Sequence, residues 1–261
     1  MSKNKINALL QTDHIKLLFY IFKNYNSEVR LVGGSIRDVL MNREIGDIDS
    51  ATTLGPNDVL ELLKKNKIEY DDFAIRYGSI IAYPNNKKIQ ITSLREDINQ
   101  LGRHTSVLFT KDWKKDAARR DFTFNALYLG EDCKLYDYYN GQQDLQTKII
   151  KFIGEIEDRI KEDYLRIYRY FRFLGLFDLP LINKNTQMIV EKYIHESLVV
   201  LTNDVIRQEV LKMFNMPYPL NCFYQSHVKF KWVEILKEHF IKTNYELGLK
   251  KCLNKIDNII N

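Results

Sequence analysis

Leu31-Val-Gly-Gly-Ser-Ile-Arg-Asp38 and, shortly after it, Gly46-Asp-Ile-Asp-Ser-Ala-Thr52 decide how this chain is read. Residues 29–32 form a short apolar run with the character of a strand. Gly33 and Gly34 supply a turn that a side chain would obstruct, and 35–41 reads as a helical turn opening with unpaired amide donors. Such a helix start attracts phosphate. Asp47 and Asp49 are separated by one residue, so a strand over 45–51 turns both carboxylates to one side, about 6 to 7 Å apart along the backbone. They are hard oxygen ligands suited to a pair of Mg²⁺ ions, which stand about 4 Å apart in sites that carry out in-line phosphoryl displacement. A Gly-Gly-Ser alone is a common turn, and an Asp-x-Asp alone is a common strand end. Together they point to metal-dependent nucleotidyl transfer, with Asp47 and Asp49 as metal ligands and catalytic carboxylates. Arg37 lies one helical turn in, where it can orient the loop or a triphosphate.

The composition is that of a globular chain. With 261 residues, 45% hydrophobic and 28% charged, it can bury a core in one large domain or two small ones. No apolar run reaches the length needed to span a bilayer, so no membrane segment is expected. The start, Met1-Ser-Lys-Asn-Lys-Ile6, lacks an apolar leader core, so the expected compartment is the cytoplasm. Cys133, Cys222 and Cys252 lie far apart without a C-x-x-C spacing, which supports neither a zinc site nor a disulfide framework. The histidines are scattered as well, so metal chemistry falls to the carboxylates. A net charge of +5 suits a polyanionic partner without demanding one.

Helical periodicity covers 14–25 and 58–66, the latter after a Gly55-Pro56 break. β-branched and aromatic runs predict strands over 73–82, 88–94 and 125–129, with Tyr83-Pro84-Asn85-Asn86 as a hairpin turn between the first two. Residues 95–115 are polar and aperiodic and read as a long mobile loop of the kind that serves function. Helical patterns dominate from 156 onward. The predicted fold is α+β: an amino-terminal mixed-sheet head (1–140), a helical neck (141–215) and a short helical body or tail (216–261). In the last of these, Lys229, Lys231, Lys250 and Lys251 are interleaved with Phe230, Trp232, Phe240 and Tyr245. Two readings stand: buried aromatics under a solvated lysine face, or a surface that tracks RNA phosphates.

A second constellation, Arg119-Arg-Asp-Phe-Thr-Phe-Asn-Ala-Leu127, places Arg119, Arg120, Asp121 and Asn125 at the entrance to a strand. Further along stand Asp137-Tyr-Tyr-Asn-Gly141-Gln-Gln-Asp144-Leu145, Glu162-Asp-Tyr-Leu-Arg166 and Asp204-Val-Ile-Arg207-Gln-Glu209. Taken in order over roughly 14–213, these motifs resemble those of class II tRNA nucleotidyltransferases, the family of CCA-adding enzymes and bacterial poly(A) polymerases. The resemblance implies that Asp47 and Asp49 hold two Mg²⁺ ions, and that Gly33, Gly34, Ser35 and Arg37 shape a triphosphate pocket. It implies ribose and phosphate contacts by Arg119, Arg120, Asp121 and Asn125, and a hinge at 137–145 whose Gly141 permits a bend. Residues 162–173 resemble the family's nucleobase-recognition helix. Asp163 and Arg166, three apart on one helix face, would present an acceptor and a planar donor fork. Cytosine and adenine match that pair; uracil and guanine present the reverse order. Glu162 and Arg169 would support Arg166.

The implied reaction is template-independent addition of CCA to the 3′ end of tRNA from CTP and ATP, with release of pyrophosphate and no obligatory protein partner. The loop from 96 to 115 would act as a lever between C and A addition. Within the family the alternatives are a CC-adding or A-adding specialist or a poly(A) polymerase; from another class, a catalytically silent RNA-binding module. The chain departs from the pattern at Gln90, where many relatives carry a carboxylate. It also departs at Asp204-Val-Ile206, where the family usually has Glu-Arg-Ile.

Overall fold

The computed structural model describes residues 2–101, 104–224, 230–243 and 254. Two compact units emerge, Met1–Gln100 with His104–Leu145, and Gln146–Asn261 with Leu101–Arg103. The fold is α+β, with a mixed sheet in the first unit and helices in the second.

The first unit runs α1 (Ser2–Leu10), α2 (Asp13–Asn24), β1 (Val29–Val32), α3 (Gly34–Leu40), β2 (Ile48–Thr52), α4 (Pro56–Lys65), β3 (Tyr70–Asp71), β4 (Ser79–Ala82) and β5 (Ile89–Ser93). Next come β6 (Arg95–Leu101), β7 (His104–Phe109), α5 (Trp113–Ala118), β8 (Leu127–Leu129), β9 (Leu135–Asp137) and α6 (Gly141–Gln146). The main sheet has the order β3-β4-β5-β2-β1-β8-β9. Its pairs are antiparallel except β2 with β5, which run parallel with Asp49 beside Gln90. All four residues of β1 are buried, as a strand well inside a covered sheet requires. α2 buries Ile15, Leu18, Phe19, Ile21 and Phe22 at helical spacing, and α4 starts with Pro56 in its first turn and buries Val59, Leu62 and Leu63.

Several expectations change. The strand predicted over 73–82 is broken: Asp71 Oδ1 accepts the Phe73 amide at 2.9 Å, a local turn that competes with the ladder, and β4 starts only after Gly78. The turn at 83–86 is present, with Asn85 and Asn86 at positive φ, and joins β4 to β5. The region read as a loop from 95 to 115 is instead the two-stranded ribbon β6-β7 followed by α5. Asp112 caps α5, its Oδ1 accepting the Lys114 amide at 2.8 Å. Strand β9 was not anticipated, and β8 begins two residues later than expected, after a short 3-10 turn at Thr123–Asn125.

The second unit contains α7 (Ile156–Glu162), α8 (Leu165–Leu174), α9 (Lys184–Lys192), α10 (Ile194–Val200), α11 (Asn203–Phe214) and α12 (Trp232–Lys242). Its centre is aromatic. Phe171 stacks on Trp232 with ring centroids 4.8 Å apart, and Tyr168, Phe223 and Phe230 complete the cluster. Phe230, Trp232 and Phe240 are buried, so these three aromatics of the carboxyl-terminal segment are core. Lys231 is exposed; Lys229, Tyr245, Lys250 and Lys251 lie outside the described residues. No helix among the described residues is long and apolar enough to cross a membrane.

Candidate functional site

Gly33 ends β1 and opens α3 at φ 79°, a left-handed backbone that disfavours any side chain. Its amide donates to Leu127 O of β8, which fixes the loop against the neighbouring strand. A Cβ on Gly33 would stand 3.8 Å from Asp49 Oδ2 and 3.7 Å from Arg120 Nη1. The loop backbone therefore lies directly beside one carboxylate and one guanidinium. Ser35 is buried and its hydroxyl turns inward to Val32 O at 3.3 Å, so it contributes backbone, not its side chain, to the loop surface.

Asp49 lies in β2 and is half-buried, whereas Asp47 precedes the strand and is largely exposed. The strand thus starts later than expected, because Gly46 and Asp47 remain outside the ladder. Burial pushes the Asp49 carboxyl above its ordinary range, and Asp47 pushes the same way, against Arg120 and Lys88. Lys88 Nζ sits 3.5 Å from Asp47 Oδ1. A partly desolvated carboxylate with a like-charged neighbour is electrostatically receptive to a cation. The donor set is all-oxygen, and Mg²⁺ ordinarily takes one or two carboxylates and completes its shell with water and substrate phosphate. The residues present fit that ion. Gln90, the register partner of Asp49, adds no charge, and no group of three or more His, Cys, Asp or Glu side chains able to hold a metal occurs among the described residues.

The second constellation forms two networks. Arg37 donates through Nε and Nη2 to Asp38 at 3.0 Å each, and through Nη1 to Asn125 Oδ1 at 2.9 Å. Asn125 in turn donates to Asp121 Oδ1 at 3.0 Å, and that oxygen also accepts the Phe122 amide at 2.8 Å. Arg37 therefore stiffens Asn125 rather than standing alone on the surface. Arg119 and Arg120 both bind Asp116 of α5, at 2.8 and 3.2 Å. Despite burial, which opposes ionisation, Arg120 and Arg119 hold the Asp116 carboxyl down at about 2. Sequence reasoning missed Asp116 as a site residue. Its spacing of three and four from the two arginines, on one helical face, was the available signal.

The motif at 137–145 has its own local construction. A Cβ on Gly141 would collide with the Thr123 carbonyl oxygen, so glycine serves a close backbone approach, while the positive φ belongs to Asn140 at 60°. Asp137 accepts the Gly141 and Gln142 amides at 2.8 and 2.9 Å and so holds the start of α6. Thr123 donates to the buried Asp144 at 2.6 Å.

Within the helical unit, Asp163 and Arg166 do not share a helix face. Asp163 has extended backbone between α7 and α8, and its Oδ1 accepts the Leu165 amide at 3.0 Å. That carboxylate competes with helix continuation by capping the next helix. Arg166 is buried and donates through Nη1 to Glu162 Oε2 at 2.6 Å and to Arg159 O at 2.7 Å. Glu162 also pairs with Arg159. Glu162 thus bridges the Arg159 and Arg166 guanidinium groups. Arg169 lies over the Phe173 ring, 5.7 Å from its centroid. Glu209 of α11, nearly inaccessible, pairs with Arg172 of α8 at 3.2 Å and with Lys212 at 2.7 Å, which braces the two helices.

Residues 29–151 match the poly A polymerase head domain. The human mitochondrial CCA tRNA nucleotidyltransferase 1 is 44% identical over 173 residues, 66% of this chain and 40% of that protein. The CCA-adding enzyme of Bacillus cytotoxicus is 32% identical over 198 residues, 75% of this chain and 48% of the relative. Among solved structures, the Bacillus stearothermophilus CCA-adding enzyme in complex with CTP superposes with a TM-score of 0.72 at 26% identity, covering 80% of this chain and 50% of that one. The chain spans less than half the length of these two curated relatives.

Proposed function

We propose, from the match of residues 29–151 to the poly A polymerase head domain, that the chain adds C, C and A to the 3′ end of tRNA, using CTP and ATP and releasing pyrophosphate. The observation that carries the reading is the meeting of Asp49 Oδ2 and Arg120 Nη1 at the Gly33 backbone. A triphosphate laid on that loop has amide donors beneath it, a guanidinium on one side and the two-carboxylate pair on the other.

Asp47 and Asp49 would hold Mg²⁺. Bound there, the ions would ease ionisation of the attacking 3′-hydroxyl and neutralise charge on the leaving pyrophosphate. Arg120 stabilises phosphate charge next to Gly33, with Arg119 held beside it on Asp116. Asn125, fixed between Arg37 and Asp121, offers a preset polar edge to the ribose. The transfer breaks the bond between the α and β phosphates and forms one from the 3′-oxygen to the α phosphate. The hydroxyl proton leaves to solvent or to a carboxylate.

Base choice falls to Asp163 and Arg166, supported by Glu162 and Arg169. A carboxylate held in an extended link would accept from the exocyclic amino group, and a guanidinium anchored on Glu162 would donate to the ring nitrogen, of cytosine and adenine alike. In this reading the head (1–140) carries the chemistry, the neck (141–215) selects the base, and 216–261 helps hold RNA, with Lys229, Lys231, Lys250 and Lys251 toward phosphate.

The experiment uses tRNA lacking its terminus, labelled CTP or ATP, and Mg²⁺. Ordered incorporation of two C and one A supports the reading, and a protein that binds tRNA but incorporates neither nucleotide overturns it.

A further inference from the structure

We propose that Asp116 is a positioning residue of the nucleotide site: it sets the guanidinium groups of Arg119 and Arg120 and ties them to the root of the β6-β7 ribbon. The inference rests on the reading of that site as a triphosphate site.

Asp116 is fully buried in α5. Each of its oxygens takes one arginine and one neutral donor. Oδ1 accepts Arg119 Nε at 2.8 Å and the Arg95 amide at 3.3 Å. Oδ2 accepts Arg120 Nη2 at 3.2 Å and the Tyr128 hydroxyl at 2.7 Å. Arg95 is the first residue of β6 and Tyr128 lies in β8, so one carboxylate joins the ribbon, α5 and the main sheet.

The helix that carries it is itself anchored. Trp113 donates to Glu28 Oε2 at 3.1 Å, and the Arg30 guanidinium lies over the Trp113 ring, 4.0 Å from its centroid. Asp116 is thus fixed before any nucleotide arrives. Arg120 is bound to it through Nη2 and to Tyr128 OH through Nε at 3.3 Å, while its Nη1 lies toward Gly33. A guanidinium placed in this way needs little reordering when phosphate binds. Without the carboxylate charge, Arg119 and Arg120 would lose the buried anion that both bind, and burial makes such a loss costly.

Asp116→Asn keeps the size and an acceptor oxygen and removes the charge. The KM for both CTP and ATP should rise roughly tenfold, with kcat within about threefold, because the arginines act on ground-state triphosphate. In an R119A/R120A background, D116N should weaken CTP binding no further, since its effect passes through those arginines. An unchanged KM in D116N, or a full extra loss of CTP affinity in the triple variant, overturns the proposal.

If D116N does not fold, Arg120→Lys serves instead. A lysine retains charge but cannot reach Asp116, Tyr128 and the Gly33 loop together, so the same rise in KM is expected and a wild-type KM is contradictory. Equilibrium dialysis with CTP and Mg²⁺, without tRNA, separates the two claims. A wild-type protein that does not bind CTP removes the triphosphate reading and the proposal with it. Equal binding by wild type and D116N removes only the positioning role.

Discussion

Gly33 and Asp49 are neighbours at van der Waals range: a Cβ on the glycine would stand 3.8 Å from the aspartate Oδ2. The glycine also holds φ 79° and ψ −134°. Gly33→Ala should therefore cost about 1 to 3 kcal/mol of stability from backbone strain. It should also weaken triphosphate binding by crowding the space between Asp49 and Arg120. Thermal melts with CTP titration check both; an alanine variant with unchanged melting and binding would show that the loop tolerates a side chain.

Asp47→Asn and Asp49→Asn should each lower incorporation by at least about a hundredfold, the scale of removing preorganised charge stabilisation from a transition state. CTP binding without divalent metal should change little. Single-turnover incorporation and dialysis in EDTA separate the two effects. Retained turnover in Asp49→Asn would remove that carboxylate from the chemistry.

Arg166 is anchored by Glu162 at 2.6 Å, so Glu162→Gln should loosen the guanidinium without touching a base. The ratio of kcat/KM for CTP over UTP should fall by roughly tenfold, the order of one weakened polar contact. A ratio equal to wild type would mean that Arg166 is not the discriminating group.

Acid should release stability held by Asp116. Its folded carboxyl lies at about 2, below the ordinary 3.8, so its contribution is present above about pH 4 and is lost as pH falls toward 2. The amount is about 2 kcal/mol, from the size of that depression. Denaturant melts of wild type and D116N should converge over this window. A stability difference independent of pH would contradict the ion-pair account.

Shortening the β6-β7 ribbon should stop synthesis after CC, because a lever would be needed only when the site changes from C to A. The readout is product length on a sequencing gel. Complete CCA addition by the shortened protein would exclude a lever.

The glycine turn, the paired aspartates and the Arg-Arg-Asp run were legible because each needs particular residue types at fixed spacing. Helices α2 and α4 were legible from apolar periodicity and the Gly55-Pro56 break. The ribbon at 95–109 was not, since β6 is mostly charged and polar, β7 runs from three polar to three apolar residues, and neither alternates or has the isoleucine density of β4 and β5. The helix break at Asp163 was hidden for a different reason. Nothing in Glu162-Asp-Tyr-Leu-Arg166 interrupts helical propensity strongly, and only the side-chain cap on Leu165 reveals it. The need for glycine at 141 for close approach to Thr123 was not legible because that contact is a tertiary fact. Asp116 was overlooked as a site residue because its role depends on Tyr128 and Arg95, which only the fold brings together.

The most direct test is end-sequencing of tRNA that lacks its terminus after incubation with all four nucleoside triphosphates, Mg²⁺ and either wild-type protein or the Asp49→Asn variant. CCA on the wild-type product, no U or G, and an unextended end with the variant are the expected results. Wild-type product that is unextended, or that carries U or G as readily as C and A, would contradict the CCA-adding reading.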